Sequence, residues 1–423
     1  MGSKIIQHLI VTISVLLVLC FTLPLVKIGA TTFKKPDWFV IILSIPIIPF
    51  IWPFIKKHSI LLYFYILYLG ILIQSIISEI YGSVLYLNTF ITVLPISSLL
   101  ILEKIVSFTI LFYAAQKGWI NYKRFNLLLY FTFLAALLFG FFQFFNFFSA
   151  AEISLQYYLQ EGGVQMDNFL MLGRINGVSP AIITWSGCCV LMFHYFWRIT
   201  ENKLLALIGI VFCVLNIAMA ASRSGIVALI GSIFIIQLLK STIIDRSFLS
   251  VVKVLLVTIA IGLAIFSLMA YYLPDQIEFL YKRFDSAEDA MTTTGRGEQI
   301  QYFSNLLISN PINLIVGVGI GVINDYGYLE IDPAYIMTAF GLIGIILHYS
   351  LVVLILNRSY HFKRINSNIF LFVWGSTVAY MIFSIGFYFF YELYMGNIYW
   401  WLNGMLMGFL YNYRDRGTAP HIK

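Results

Sequence analysis

The chain has 423 residues, of which 61% are hydrophobic and only 11% are charged. A soluble globular domain has an apolar share nearer half and a charged share nearer a quarter, so this composition excludes one. It predicts an all-α polytopic membrane protein. The net charge of +7 does not by itself indicate a nucleic-acid partner, because a positive excess in a membrane protein is usually the bias of its cytoplasmic loops.

Apolar runs long enough to cross a bilayer recur along the whole chain. The first run follows MGSK and reaches Leu25, and no small-residue cleavage pattern comes after it. We therefore expect a retained helix and not a signal peptide. The remaining predicted spans are 38–55, 60–78, 97–116, 125–147, 178–197, 204–221, 225–239, 251–273, 334–356, 369–390 and 398–411. This gives about twelve spans in one transmembrane domain, residues 1–423, with both termini on the same side.

The loop charges predict the orientation of this domain, because short cytoplasmic loops collect Lys and Arg. With the N-terminus inside, the cytoplasmic basic residues are Lys4, Lys56, Lys57, Lys117, Lys123, Arg124, Arg198, Lys203, Lys240, Arg246, Arg358, Lys363, Arg364, Arg414, Arg416 and Lys423. The external ones are Lys27, Lys34, Lys35, Arg174, Arg223, Lys282, Arg283 and Arg296. The bias predicts cytoplasmic N- and C-termini and accounts for the positive charge without nucleic acid.

Two predicted external loops, 148–177 and 274–333, are longer than a simple connection requires. Within them, the segments EISLQYYLQ and GEQIQYFSNLL place apolar residues at helical spacing beside polar ones. This pattern predicts short helices in the membrane interface. Amphipathic packing without any chemistry is an equal alternative.

Three external arginines are candidates to bind a phosphate or diphosphate. Arg223 stands in AASRSGIVALIG between two apolar spans, Arg174 stands in LGRINGVSP at the mouth of a span, and Arg296 stands between glycines in TTTGRGEQ. A charge at membrane depth is costly, which makes such residues functional candidates. Guanidinium groups offer a planar fork of donors that suits phosphate oxygens. The alternative is that each arginine pairs with a structural carboxylate or reaches to lipid headgroups.

Glu330 and Asp332 directly precede the span that follows Pro333. An apolar boundary disfavours the charged form of a carboxyl group and so raises its pKa, which suits a general base. The alternative is that these acids neutralise the arginines or face water.

Other polar features inside the apolar runs are interpreted as structural. Glu103 and Lys104 are adjacent in a predicted span, where neighbours point to different helix faces; they indicate a buried polar network, with the outer end of a misplaced span as the alternative. The GVGIG run at 317–321 lacks the spacing of a phosphate-binding loop, which favours tight helix contact. His348 has no second ligand at metal spacing, so a buried histidine with satisfied hydrogen bonds is expected.

The cysteine and tryptophan residues are also predicted to have structural roles. The four cysteines lie inside apolar runs without spaced pairs, which predicts neither disulfides nor a metal; they are Cys20, Cys188, Cys189 and Cys213. Tryptophans near span ends, among them Trp400 and Trp401, are expected to anchor the chain at the membrane interface.

The order of four motifs resembles that of the bacterial O-antigen polymerase and ligase superfamily. The motifs are RINGVSP, then SRSG between two spans, then GRGEQIQYFSNLLISNPINLIVGVGIG, then an acid-rich segment that runs into FGLIGI. They cover residues 174–344, whereas the first five spans match only as generic membrane helices. The resemblance implies glycosyl transfer at the outer face of the inner membrane, from an oligosaccharide linked through diphosphate to undecaprenol. It also implies association with a flippase and a chain-length regulator. We expect no cofactor.

The resemblance assigns roles to individual residues of this chain. Arg223 and Arg296 would hold the donor diphosphate, with Arg174 assisting, and Glu330 or secondly Asp332 would deprotonate the acceptor hydroxyl in one inverting step. Ligases of the superfamily carry a histidine where this chain has Glu330, which favours a polymerase. The alternatives are a ligase that transfers glycan to lipid A core and a lipid-linked oligosaccharide transporter, whose polar sites lie near the bilayer midplane.

Overall fold

The computed structural model describes residues 2–28, 32–90, 96–158, 173–244, 296–326, 331–387, 390–392 and 394–416, with scattered single residues between these ranges. Several predictions lie outside it: Glu330, the side chain of Arg296, the basic residues Arg246, Lys282 and Arg283, and most of the predicted span at 251–273.

Helices make up nearly all of the described chain, which confirms the predicted all-α class. They are α1 Gly2–Cys20, α2 Pro36–Ser44, α3 Ile48–Lys57, α4 Ser59–Tyr86, α5 Ile96–Gln116, α6 Tyr122–Phe145, α7 Ala150–Tyr157, α8 Ile182–Arg198, α9 Lys203–Ala220, α10 Arg223–Leu239, α11 Arg296–Ser309, α12 Pro311–Val316, α13 Gly319–Tyr326, α14 Asp332–Tyr360, α15 Ser367–Ser384 and α16 Tyr394–Arg416. One small antiparallel hairpin joins β1 Val26–Ile28 to β2 Thr32–Lys34.

Within the described residues, eight helical segments are long and apolar enough to cross a membrane. They are Pro36–Lys57, Ser59–Tyr86, Ser98–Gln116, Tyr122–Phe145, Lys203–Ala220, Arg223–Ile244, Asp332–Tyr360 and Ser367–Ser384. The predicted first span is shorter than expected, since α1 ends at Cys20 and the chain then enters the hairpin. The segments predicted as short external helices are helical as α7 and α11.

Helix α16 lies in the centre of the bundle and packs along α5. Gly404 and Gly408 allow this approach: a Cβ on Gly404 would lie 2.5 Å from the carbonyl oxygen of Phe108, and one on Gly408 would meet that of Phe112. Small residues spaced by four let helix backbones come close in membrane proteins. The α5–α16 pair is therefore a backbone-to-backbone contact that larger residues at either glycine would separate.

The central position of α16 overturns the prediction that Trp400 and Trp401 anchor the chain at the membrane interface. Both side chains are buried, at 0% and 1% exposed. The Trp400 ring packs edge-on against Phe64 and Phe108, at centroid distances of 5.7 and 6.2 Å. The two tryptophans fill the helix core because α16 is enclosed by its neighbours, which sequence position alone does not reveal.

The bundle has two chemically different ends. At the end that we call the basic end, the C-terminal parts of α5 and α16 meet, and Gln116 donates a hydrogen bond to Asp415 over 2.8 Å. Helix termini and connections at this end carry Lys56, Lys57, Lys117, Lys123, Arg124, Arg198, Lys203, Lys240, Arg358, Lys363, Arg364, Arg414 and Arg416. At the opposite end, which we call the site end, the Tyr394 hydroxyl donates to the carbonyl oxygen of Phe21 over 3.0 Å. The predicted segregation of basic residues is thus a property of the fold.

Candidate functional site

Arg174 holds the turn between α9 and α10 at the site end. Its Nε donates to the carbonyl oxygen of Ala220 over 2.8 Å, and its Nη2 donates to that of Ala221 over 3.2 Å. Ala221 has a left-handed backbone with φ of +45° and ends α9. The last carbonyls of a helix have no partner within the helix, and the buried guanidinium supplies one. Arg174, only 3% exposed, therefore fixes the turn that begins α10.

Arg223 is the first residue of α10, directly after that turn. The Ser222 hydroxyl caps the helix by accepting a hydrogen bond from the backbone N–H of Gly225 over 3.4 Å. The Arg223 side chain is half-buried. A helix N-terminus carries partial positive charge, and Arg223 is the first residue of this one.

Asp332 begins α14 at the same end and is fully buried. Its Oδ1 accepts a hydrogen bond from the backbone N–H of Phe390 over 3.3 Å. Four residues earlier, Gly386 packs on the start of α10, where a Cβ would lie 3.4 Å from Cβ of Ser224. Gly386 thus touches the helix that begins with Arg223, and Phe390 in the same connection touches the aspartate that begins α14.

Glu392, in the same connection, is a buried carboxylate that sequence analysis missed. Its oxygens accept hydrogen bonds from the backbone N–H groups of Tyr394 (2.9 Å) and Gly396 (2.7 Å), at the start of α16. Burial raises the pKa of the Glu392 carboxyl group, and the two N–H groups and Lys104 partly oppose this. An acid directly after the aromatic run FYFFY, in the short connection between two apolar segments, was the available signal.

Below this connection lies a buried group that we call the ionic cluster: Asp37, Glu103, Lys104, Glu392 and Asn397. The Asn397 amide donates to Asp37 over 3.2 Å and to Glu103 over 2.7 Å. Lys104 interacts electrostatically with Glu103 and Glu392, and its Nζ has no hydrogen-bond partner in the described part of the chain. The prediction of a buried polar network at Glu103 and Lys104 is confirmed.

The GVGIG run, residues 317–321, forms a tight turn against α4 that we call the glycine turn. Gly317 and Gly319 have φ of +84° and +81°. A Cβ on Gly317 would meet the carbonyl oxygen of Ala339, so glycine is required by space as well as by conformation. The backbone of Val318 donates to the carbonyl oxygen of Thr338 over 2.8 Å. The run is a helix contact, as expected from its lack of phosphate-loop spacing.

Polar side chains of α4 fasten this turn. Gln74 donates to the carbonyl oxygens of Val316 and Phe340 over 2.8 and 2.9 Å, and Ser78 donates to that of Val316 over 2.6 Å. Glu79 accepts from two N–H groups at the start of α13. The Phe340 carbonyl requires such a partner because α14 breaks at Gly341, which has φ of +65° and ψ of −166°. Sequence analysis missed these residues, although Gln74 and Ser78 are four positions apart and Glu79 adjoins Ser78, which was a signal of a polar face on α4.

His348 is a satisfied buried histidine, as predicted. Its Nδ1 lies 2.7 Å from the carbonyl oxygen of Gly344, and its Nε2 lies 2.6 Å from the Tyr391 hydroxyl.

Among the described residues, no group of three or more His, Cys, Asp or Glu side chains is arranged to hold a metal ion. The four cysteines are buried and free.

The predicted site residues thus divide into two sets. Arg174, Arg223 and Asp332 lie at one end of the bundle, while the Arg296 side chain and Glu330 are not described. Arg296 begins α11, and Asp325, near the end of α13, is exposed.

No family model and no curated protein matches this chain.

Proposed function

We propose that this protein is an O-antigen polymerase, which joins undecaprenyl-diphosphate-linked oligosaccharide repeat units at the periplasmic face of the bacterial inner membrane. The observation that supports the proposal is that one connection at the site end reaches both elements: Gly386 packs on Ser224, next to Arg223, and Phe390 donates a hydrogen bond to Asp332. The basic end would then face the cytoplasm, in agreement with the positive-inside bias. Both termini would be cytoplasmic.

In this proposal Arg223 and Arg296 bind the diphosphate of the donor. Diphosphate is already a good leaving group, and positioned guanidinium groups stabilise the charge that develops on it without a metal. Arg174 assists indirectly, because its hydrogen bonds to the carbonyls of Ala220 and Ala221 set the position of Arg223.

The acceptor hydroxyl attacks the anomeric carbon of the donor in one inverting step. The Glu330 carboxylate takes the hydroxyl proton, a new glycosidic C–O bond forms, and the bond to undecaprenyl diphosphate breaks. Asp332 is the second choice for the base. Its buried position and its bond to Phe390 suit it better to hold the connection between α15 and α16.

The proposal is tested with purified protein in lipid vesicles. The substrate is the diphosphate-lipid-linked repeat unit, supplied with EDTA and without lipid A core, and the products are separated by electrophoresis. A ladder of repeats from the native protein and its absence from Arg223→Ala support a polymerase. Transfer that requires lipid A core would make the protein a ligase.

The second candidate is a transporter of lipid-linked oligosaccharide, which the ionic cluster favours. Lys104 lies eight residues into α5, or about 12 Å from the start of that helix at 1.5 Å per residue. Buried charges at such depth are common in transport pathways. In the same vesicles, movement of the lipid-linked repeat between leaflets without any ladder would establish this alternative.

A further inference from the structure

A polar cavity at the site end has no role in the chemistry described above. It lies between the end of α4 and helix α13 and has a volume of about 580 Å³. Its walls include Tyr86, Asn88, Thr89, Gly321, Asn324 and Asp325. Ligand cavities in proteins commonly have volumes of roughly 300–1,000 Å³, so the space accommodates a ligand of one or a few sugar rings.

Hydrogen bonds to neighbouring residues fix the walls of the cavity. Tyr86 accepts a hydrogen bond at its hydroxyl from the Asn313 amide over 2.6 Å. The backbone N–H groups of Leu87 and Thr89 both donate to the carbonyl oxygen of Ser83 over 3.1 Å, which fixes the bend at Asn88. On the opposite wall, Gly321 is bound to Glu79 through its backbone N–H. The exposed side chains of the cavity therefore stand on a preorganised frame, which reduces the entropic cost of binding.

The exposed groups of the cavity are those that bind sugar hydroxyls. Asn88, Thr89 and Asn324 supply amide and hydroxyl groups, Asp325 supplies a carboxylate, and Tyr86 adds an aromatic ring with a hydroxyl. The described lining residues include one acid and no Lys or Arg. A negative wall disfavours phosphate, so the cavity does not duplicate the arginine site.

We propose that this cavity is a subsite for the acceptor glycan, and the assignment rests on the proposed polymerase function. Helix α13 ends at Tyr326, four residues before Glu330. Four residues of chain span at most about 14 Å, a distance comparable with two or three sugar rings. A glycan seated in the cavity can therefore present its terminal hydroxyl to the proposed base.

The experiment measures occupancy of the cavity without any enzymatic turnover. Asn324→Cys places a thiol in the cavity, and Asn305→Cys places one on an exposed face of α11 at the same end as a matched control. The four native cysteines are buried, so a bulky maleimide reports on the introduced thiol. The probe is the single repeat unit, released by mild acid hydrolysis of the host's undecaprenyl-diphosphate-linked repeat unit, which breaks the bond between the sugar and the diphosphate.

The repeat unit is expected to slow labelling of Asn324→Cys at least fivefold and to leave Asn305→Cys unchanged. No protection of Asn324→Cys overturns the subsite, and protection by inorganic pyrophosphate or by calcium alone overturns its assignment to sugar. Because labelling needs no activity, a protected cavity in a protein that makes no ladder would refute the polymerase and leave a glycan site. In an active protein, Asp325→Asn should raise the KM for the acceptor about tenfold, the effect of one lost charged hydrogen bond, with kcat retained.

Discussion

Glu79 and Ile320 are 241 positions apart in the sequence, yet the Glu79 Oε2 atom lies 2.9 Å from the backbone nitrogen of Ile320. The same oxygen accepts from the N–H of Gly321 over 3.1 Å. A buried carboxylate on a membrane-spanning helix thus serves as the N-terminal cap of α13. A negative charge at a helix N-terminus is stabilised by the helix dipole, so this contact ties α4 to the segment that precedes Glu330.

Replacing Glu79 should therefore loosen the glycine turn. We expect Glu79→Ala to lower the free energy of unfolding by about 2–3 kcal/mol, because two buried N–H groups lose a charged acceptor. Glu79→Gln keeps an acceptor oxygen and should cost about 1 kcal/mol. The measurement is the midpoint temperature at which detergent-solubilised protein loses its monodisperse elution peak. Glu201→Gln, on an exposed residue at the basic end, is the control, and an equal loss there would contradict the prediction.

The break in α14 at Gly341 gives a second prediction. Its φ and ψ of +65° and −166° lie in a region that is essentially restricted to glycine, and a Cβ there would meet the carbonyl oxygen of Ile315. Gly341→Ala should lower the free energy of unfolding by about 3 kcal/mol or more, because it strains the backbone and displaces the glycine turn. Gly70→Ala, where the new Cβ meets only the tip of Leu347, should leave the midpoint nearly unchanged. Equal stability of the two variants would show that the break is not fixed by Gly341.

The ionic cluster should behave as a coupled unit. Lys104→Met removes a positive charge that partly compensates the buried carboxylates, so it should lower the free energy of unfolding by about 3 kcal/mol. Glu392→Gln removes one of those carboxylates. The double variant should therefore recover part of the stability that Lys104→Met loses. The coupling energy from a double-mutant cycle of thermal or denaturant unfolding should be about 1–3 kcal/mol. Strict additivity would show that the electrostatic interaction between Lys104 and Glu392 contributes nothing to the fold.

Sequence patterns were sufficient for most of the long apolar helices and for the division of charges between the two ends. Apolar runs near the length of a bilayer correspond to α4, α5, α6, α9, α10, α14 and α15, because burial in lipid requires continuous apolar surface and internal backbone hydrogen bonds. The basic residues of short connections lie at one end because helices joined by short loops alternate in direction.

The contacts between distant segments were not predictable in the same way. Nothing local in α4 indicates that Gln74 and Glu79 bind a turn more than 200 residues away. Similarly, Arg174 was predicted at the substrate because its charge stands near a membrane, and only the folded chain shows its hydrogen bonds to the carbonyls of Ala220 and Ala221. Charge and depth mark a residue as costly to bury, but they do not identify its partner.

Arg174 and Arg223 should therefore differ when each is replaced by alanine. Arg174→Ala leaves two carbonyls at the end of α9 without their donor and should lower the free energy of unfolding by about 2–3 kcal/mol, with reduced polymer length as a secondary effect. Arg223 is half-buried at the first position of α10. Its alanine variant should keep the native elution profile and a free energy of unfolding within about 1 kcal/mol of the native protein, while losing long-chain polymer.

The measurement combines the elution profile of purified protein with electrophoresis of surface polysaccharide from cells that express each variant. Arg223→Lys keeps a positive charge without the planar fork and should restore short chains only. Arg296→Ala should match Arg223→Ala, since both residues are assigned to the donor diphosphate. Normal chain length in both alanine variants would refute that assignment. A destabilised Arg223→Ala beside a stable Arg174→Ala would reverse the roles of the two arginines.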